Sequence, residues 1–217
     1  MKNINAFIYY AQSEQASKTV ADLKQSPLIS TIYLVTTNKE LQPLAGCEIV
    51  YVDSFQSTQT IKKIAEYSTT DYSLIYLKST ALKLGYFALE RMIRIAEDSQ
   101  AGMVYADYYA QINDNVKNSP VIDYQEGSLR DDFNFGSLMI YNSGALKESA
   151  EKMNANQYQY AGIYDLRLKV SQNHPLVHIN EYLYTEVEED TRQSGEKIFD
   201  YVDPKNRAVQ IEMEQAC

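Results

Sequence analysis

With 217 residues, 45% of them hydrophobic and 23% charged, the chain has material for one sizeable core and the usage of an ordinary globular domain. A net charge of −9 argues against a polyanion such as nucleic acid as partner. Only two cysteines occur, Cys47 and the final Cys217, with no Cys-x-x-Cys, so neither a disulfide framework nor a structural zinc site is indicated. No run reaches the roughly 18–20 apolar residues of a membrane span. Met1-Lys2-Asn3-Ile4 enters a strand rather than a signal-peptide core, which sets a cytoplasmic expectation.

In chain order, Ile4 to Tyr10 reads as a first strand, followed by a helix to about Lys24 with Ala16, Val20 and Leu23 inward. Thr31–Val35 and Glu48–Val52 are further strands, closed by the polar turns Thr36-Thr37-Asn38-Lys39 and Asp53-Ser54. A helix spans about Ser57 to Tyr67. Tyr72–Leu77 is a short apolar strand broken by Lys78-Ser79-Thr80, and apolar residues at Tyr86, Leu89, Ile93 and Ala96 predict a helix over Gly85–Glu97. Met103–Ala106 is a buried strand with Asp107-Tyr108-Tyr109 at its carboxyl end. A strand–helix–strand crossover of this length argues for parallel pairing, and the alternation up to Tyr109 is that of an α/β sheet. In open sheets of this kind ligands bind at the carboxyl ends of the strands, which puts Lys78–Thr80 and Asp107 forward as site residues.

Beyond Tyr109 the rhythm changes. Ile112–Gly127 reads as a hairpin with a loop, Asp131–Gly136 as an acidic and aromatic loop, Leu138–Tyr141 as a strand leading into a helix to about Met153, and Tyr160–Gln172 as another helix. Leu176–Ile179 is a last strand. From Tyr184 the chain turns polar and irregular, and residues 181–217 carry −6 of the net −9. The expected organisation is one domain over 1–183 and an acidic extension over 184–217. Val209, Ile211 and Met213 fit a strand or a helix equally weakly, an unusual ending for a domain. The expectation drawn from it is a longer protein with a fused C-terminal domain. Nineteen tyrosines and no tryptophan suit either a sugar or nucleotide groove or an ordinary half-buried surface.

Taken together, Val104-Tyr105-Ala106-Asp107 ending a Rossmann-like half, the unit Phe135-Gly136-Ser137-Leu138-Met139-Ile140-Tyr141 and the helix bearing Tyr164-Asp165-Leu166-Arg167-Leu168 resemble the family-two inverting glycosyltransferases of GT-A fold. The resemblance covers about residues 4–180. It implies an α/β fold with a mixed, mostly parallel sheet flanked by helices, a nucleotide-sugar donor and a glycan or other acceptor. In that family a divalent metal on an Asp-x-Asp after the fourth strand neutralises the diphosphate, and a Glu-Asp pair supplies the base. This chain has Lys78-Ser79-Thr80 and Gly162-Ile163 at those positions, and Thr36-Thr37-Asn38-Lys39 where the family has an Asp-Asp-Gly-Ser turn.

Those departures leave two readings. In the first, Lys78 replaces the metal as a point cation on phosphate, Arg130 pairs a phosphate, and Asp107, Asp131 or Asp132, or else Asp165, serves as base. Tyr9, Thr36, Thr37 and Asn38 complete the nucleotide contacts. Mg²⁺ or Mn²⁺ then enters only through a carboxylate site of another kind. In the second, the chain is a non-catalytic binding module of a multidomain protein. A third option, a sugar-phosphate nucleotidyltransferase, wants a Gly-rich first turn, and Ala11-Gln12-Ser13-Glu14 does not provide it. His174 and His178 are read as ordinary residues.

Overall fold

A computed structural model describes residues 3–11, 13–125, 133–153, 157–188 and 206–216. Its elements in order are β1 (Ile4–Tyr9), α1 (Ser13–Leu23), β2 (Ile29–Thr36), β3 (Glu48–Tyr51), α2 (Thr58–Tyr67), β4 (Tyr72–Tyr76), β5 (Ala81–Leu84), α3 (Ala88–Ser99), β6 (Met103–Ile112), β7 (Asn115–Ser119), β8 (Met139–Asn142), α4 (Ser143–Lys152), α5 (Gly162–Ser171), β9 (Leu176–Glu188) and α6 (Asn206–Ala216).

One sheet runs β3-β2-β1-β4-β8-β6-β9-β5, with β7 hairpinned onto β6. β1, β2, β3 and β4 are parallel, β8 is antiparallel to both β4 and β6, and β6 is parallel to β9. Because β8 reverses direction between them, β4 and β6 point the same way, so the carboxyl ends of β1 to β4 and of β6 share one edge. The central strands are apolar on both faces because helices cover both. On one face α1 and α3 pack Val20, Leu23, Leu89 and Met92 against Ile4, Ile8, Leu74 and Val104. On the other, α2, α4 and α5 pack Ile61, Ile64, Leu146, Leu166 and Val170 against Phe7, Val35, Ile75 and Tyr105.

The helix expected over Gly85–Glu97 starts later, at Ala88. Gly85-Tyr86-Phe87 is a turn with Phe87 at φ 53°, and Tyr86 points to solvent at 90% exposure rather than inward. The short β5 before it went unread. One edge of β5 pairs with β9, and its other edge is satisfied by α1 side chains: Leu82 N donates to Thr19 Oγ1 (2.9 Å) and Leu84 N to Asp22 Oδ2 (2.6 Å). The last strand extends to Glu188 instead of stopping at Ile179, passing unbroken through Tyr184. The ambiguous terminal segment is a helix, α6. Cys47 is a free, half-buried thiol, and Cys217 lies outside the described residues. Among the described residues no helix is long and apolar enough to cross a membrane.

The start of α5 is pressed onto the turn that follows β3. Gly162 N donates to Gln56 O (2.7 Å), and a Cβ on Gly162 would lie 2.5–2.6 Å from backbone atoms of Gln56, Ser57 and Thr58. Backbone cannot yield as a side chain would. Gly162→Ala is therefore expected to destabilise the protein by about 1–3 kcal/mol, read as a lower urea midpoint; an unchanged midpoint contradicts this close approach.

Candidate functional site

The site is built on the shared carboxyl edge. Lys78 lies two residues past the end of β4, and its ammonium contacts the Glu186 carboxylate of β9. Glu186 is nearly buried, whereas the Lys78 side chain is 44% exposed and reaches solvent. The other Glu186 oxygen accepts from Ser137 Oγ. Ser137 is placed in turn by Tyr184, whose hydroxyl accepts from Ser137 N (3.0 Å) and Leu138 N (3.3 Å). Gly136 makes that possible: at φ +70° it needs glycine's freedom, and a Cβ there would come within 2.4 Å of the Tyr184 hydroxyl. Tyr184 stacks on Tyr108 at 5.2 Å. Burial pushes the Tyr184 and Tyr76 phenols well above their ordinary value. Tyr76 OH bonds Thr80 Oγ1 at 2.6 Å.

Between β1, α1 and the β4 end is a cavity of about 10 Å³, room for roughly one water. Tyr9, Gln15, Tyr76, Lys78 and Thr80 are among its lining residues. Gln15 Oε1 is buried there with no hydrogen-bond partner, an orphaned acceptor of the kind that calls for explanation. Tyr9 closes one side with its ring 4.4 Å from that of Phe55. At the end of β2, buried Thr36 accepts Asn38 N on its hydroxyl (3.1 Å), and Asn38 Oδ1 accepts Glu40 N (2.9 Å), so the turn holds itself while Thr37 and Asn38 face solvent. Tyr9, Thr36, Thr37, Asn38 and Lys78 thus stand at or just past the carboxyl ends of three neighbouring strands, β1, β2 and β4, and Tyr9 and Lys78 line one cavity.

Asp107 stands farther along, with β8 between its strand and β4. It is 1% exposed, and its Oδ1 accepts Val121 N (2.8 Å) and lies 2.9 Å from His178 Nε2. His178 Nδ1 lies 2.7 Å from Asp123 Oδ1, and the ring stacks on Tyr105 at 5.3 Å. A carboxylate thus lies at each ring nitrogen of His178. The β6–β9 register shifts on either side of Asp107, a bulge that re-aims side chains locally. Asp165 is buried against Lys169 rather than Arg167, with its Oδ2 unbonded. Arg167 instead sits 5.0 Å over the Phe135 ring, where burial pulls its pKa down. Arg130, Asp131 and Asp132 lie outside the described residues.

No group of three or more His, Cys, Asp or Glu among the described residues is placed to hold a metal ion. At the end of β4 the described donor set does not fit a divalent cation, since an ammonium already sits against the one carboxylate there. Glu186, Ser137, Tyr184 and Gln15 were missed in the sequence. The alternation of β9, which puts Tyr184 and Glu186 on one face, is the signal that would have found two of them.

No family model matches the chain, and no curated protein matches it in sequence. Solved structures do. TarS residues 1–349 of S. aureus superpose with a TM-score of 0.61 at 8% identity, over 85% of this chain and 60% of that one. The same protein in complex with UDP-GlcNAc gives 0.61 at 10%, over 88% and 60%. The 4-diphosphocytidyl-2C-methyl-D-erythritol synthase of Anaerococcus prevotii gives 0.54 at 12%, over 83% and 88%. This chain spans about 60% of the length of the TarS chains. The shared architecture is GT-A-like, as the sequence resemblance implied.

His178 bridges Asp107 and Asp123 at the β6 end. Replacing it with Ala leaves Asp107 buried with one partner fewer, and a loss of about 2–4 kcal/mol is expected. Denaturant unfolding checks this; a change below about 0.5 kcal/mol, the range of neutral surface substitutions, contradicts it.

Proposed function

We propose that this domain binds a nucleotide sugar along the carboxyl edge, with Lys78 neutralising the diphosphate that a metal ion would otherwise hold. The observation that carries the reading is the half-exposed Lys78 ammonium at the end of β4, held in place by nearly buried Glu186. An ammonium acts on phosphate as a point cation and needs no coordination shell. Tyr9 and Phe55, with Thr36, Thr37 and Asn38 nearby, supply an aromatic face and short polar side chains for the nucleoside. The TarS complex with UDP-GlcNAc shows that a protein of this architecture takes such a ligand.

The reaction that follows is inverting transfer. An acceptor hydroxyl attacks the anomeric carbon, the bond from that carbon to the phosphate oxygen breaks, and the nucleoside diphosphate leaves with the electron pair. The acceptor proton passes to a carboxylate, for which Asp107, Asp131 and Asp132 are the candidates. The second reading, a non-catalytic nucleotide-sugar or glycan module of a multidomain protein, is favoured by one observation: Asp107 is buried and already engaged by Val121 N and His178.

At 100 times Kd a ligand specific for the native state contributes about 2.7 kcal/mol, or about 5 °C or more in Tm for a chain of this size. UDP-GlcNAc is expected to raise Tm by that amount equally in EDTA and in Mn²⁺. Lys78→Ala is expected to lose the ligand-induced shift, whatever its own Tm. A shift seen only with Mn²⁺, or one that survives Lys78→Ala, contradicts the proposal. Release of UDP in the presence of acceptor sugars separates transfer from binding alone.

A further inference from the structure

Two adjacent aromatic rings stand out in solvent on a firm base. Tyr86 is 90% and Phe87 58% exposed, and their rings meet edge to face at 4.2 Å. The turn that carries them is anchored to β9: Gly85 N donates to Leu183 O (2.8 Å), and a Cβ on Gly85 would lie 2.8 Å from that same oxygen. Phe87 sits at φ 53°, an outlier for a bulky side chain. It is the N-cap of α3 but makes no side-chain capping bond, so the helix gains nothing from a ring there. Scattered exposed apolar residues need no explanation, whereas contiguous apolar exposure marks an interaction surface.

The matching hollow lies along the same helix. A groove of about 760 Å³ is lined by Ile93, Arg94 and Glu97 of α3, by Leu28 and Asp71 from the approaches to β2 and β4, and by Phe87 at the helix start. A projection and a hollow on one helix are self-complementary under a two-fold axis, since each copy offers what the other lacks. With two α3 helices antiparallel across an axis at the level of Met92, position 87 of one copy faces position 97 of the other, and position 90 faces position 94. Phe87 then enters the second copy's groove between Leu28 and Glu97, and Glu90 meets Arg94 of the second copy, twice over by symmetry. Charge favours this occupant over a strongly acidic or basic one, because Glu90, Arg91, Arg94, Glu97 and Asp98 mix both signs along α3. Arg91 is already committed to Glu181, with Nε 3.0 Å from Oε1. Arg94 contacts exposed Asp98 at 3.3 Å, a surface pair of the weak kind, and can re-pair.

We propose that the protein forms an isologous dimer through α3, with Tyr86 and Phe87 of each copy seated in the groove of the other and Glu90 paired with Arg94 across the axis. The groove shares no lining residue with the cavity at the end of β4, so the dimer leaves the carboxyl edge open and is independent of nucleotide-sugar binding.

Sedimentation equilibrium of the full chain over a range of concentrations reads the association directly. Wild type is expected to reach twice the mass of one chain. Phe87→Gly, which deletes the ring and suits the positive φ, and Tyr86→Ser are each expected to weaken association about tenfold or more. Glu90→Arg and Arg94→Glu each set like charges across the axis and are expected to weaken it about tenfold or more as well. Combined, the two reversals rebuild the pair with its signs exchanged, and the double variant is expected to associate within about threefold of wild type, a rescue that misfolding does not imitate. A wild type that stays monomeric at every concentration overturns the dimer and leaves the aromatic pair to a different partner. A dimer that survives Phe87→Gly, or a double reversal as weak as either single one, overturns this interface.

Discussion

A carboxylate taken nearly out of water must find a cation and hydrogen bonds, or it costs several kcal/mol. Glu186 is that carboxylate here, and Lys78 with Ser137 is its answer. Meeting this demand fixes much of the surrounding structure. Ser137 has to lie over β9, so its backbone is pinned by Tyr184. Tyr184 has to reach it, so Gly136 has no side chain in the way. Lys78 has to bend toward β9, which sets the ammonium over the carboxyl ends of the strands, where α/β sheets take ligands. A single ion pair thus links the fourth strand, the turn before β8 and the outer half of β9.

The sheet was legible because its central strands carry the plainest signal available. Ile4–Tyr9, Tyr72–Tyr76 and Met103–Ala106 are almost wholly buried; the first two pair in parallel, whereas Met103–Ala106 runs the same way but is joined to Tyr72–Tyr76 through the antiparallel β8, which sequence alternation did not show. The position of Lys78 at the end of a buried strand was legible from the polar break after Leu77. What escaped was set by contacts distant in sequence. Glu186 lies 108 residues from Lys78, and the polar run containing it looked like the end of the fold because its burial depends on that partner. His178 looked ordinary since Asp107 and Asp123 are 71 and 55 residues away. Tyr86 fitted a helical stripe by spacing, yet the chain turns at Gly85 and Phe87 and leaves its ring in solvent. β5 is too short to show a period, and its edge is satisfied by side chains of α1.

The most direct test of the account is a crystal structure of the full chain with UDP-GlcNAc bound in metal-free buffer. The account predicts the diphosphate at the carboxyl edge, with a phosphate oxygen about 3 Å from the Lys78 ammonium and the Lys78–Glu186 contact opened or shared with it. A diphosphate held through a metal ion by carboxylates, or a nucleotide seated away from the ends of β1 and β4, would contradict it.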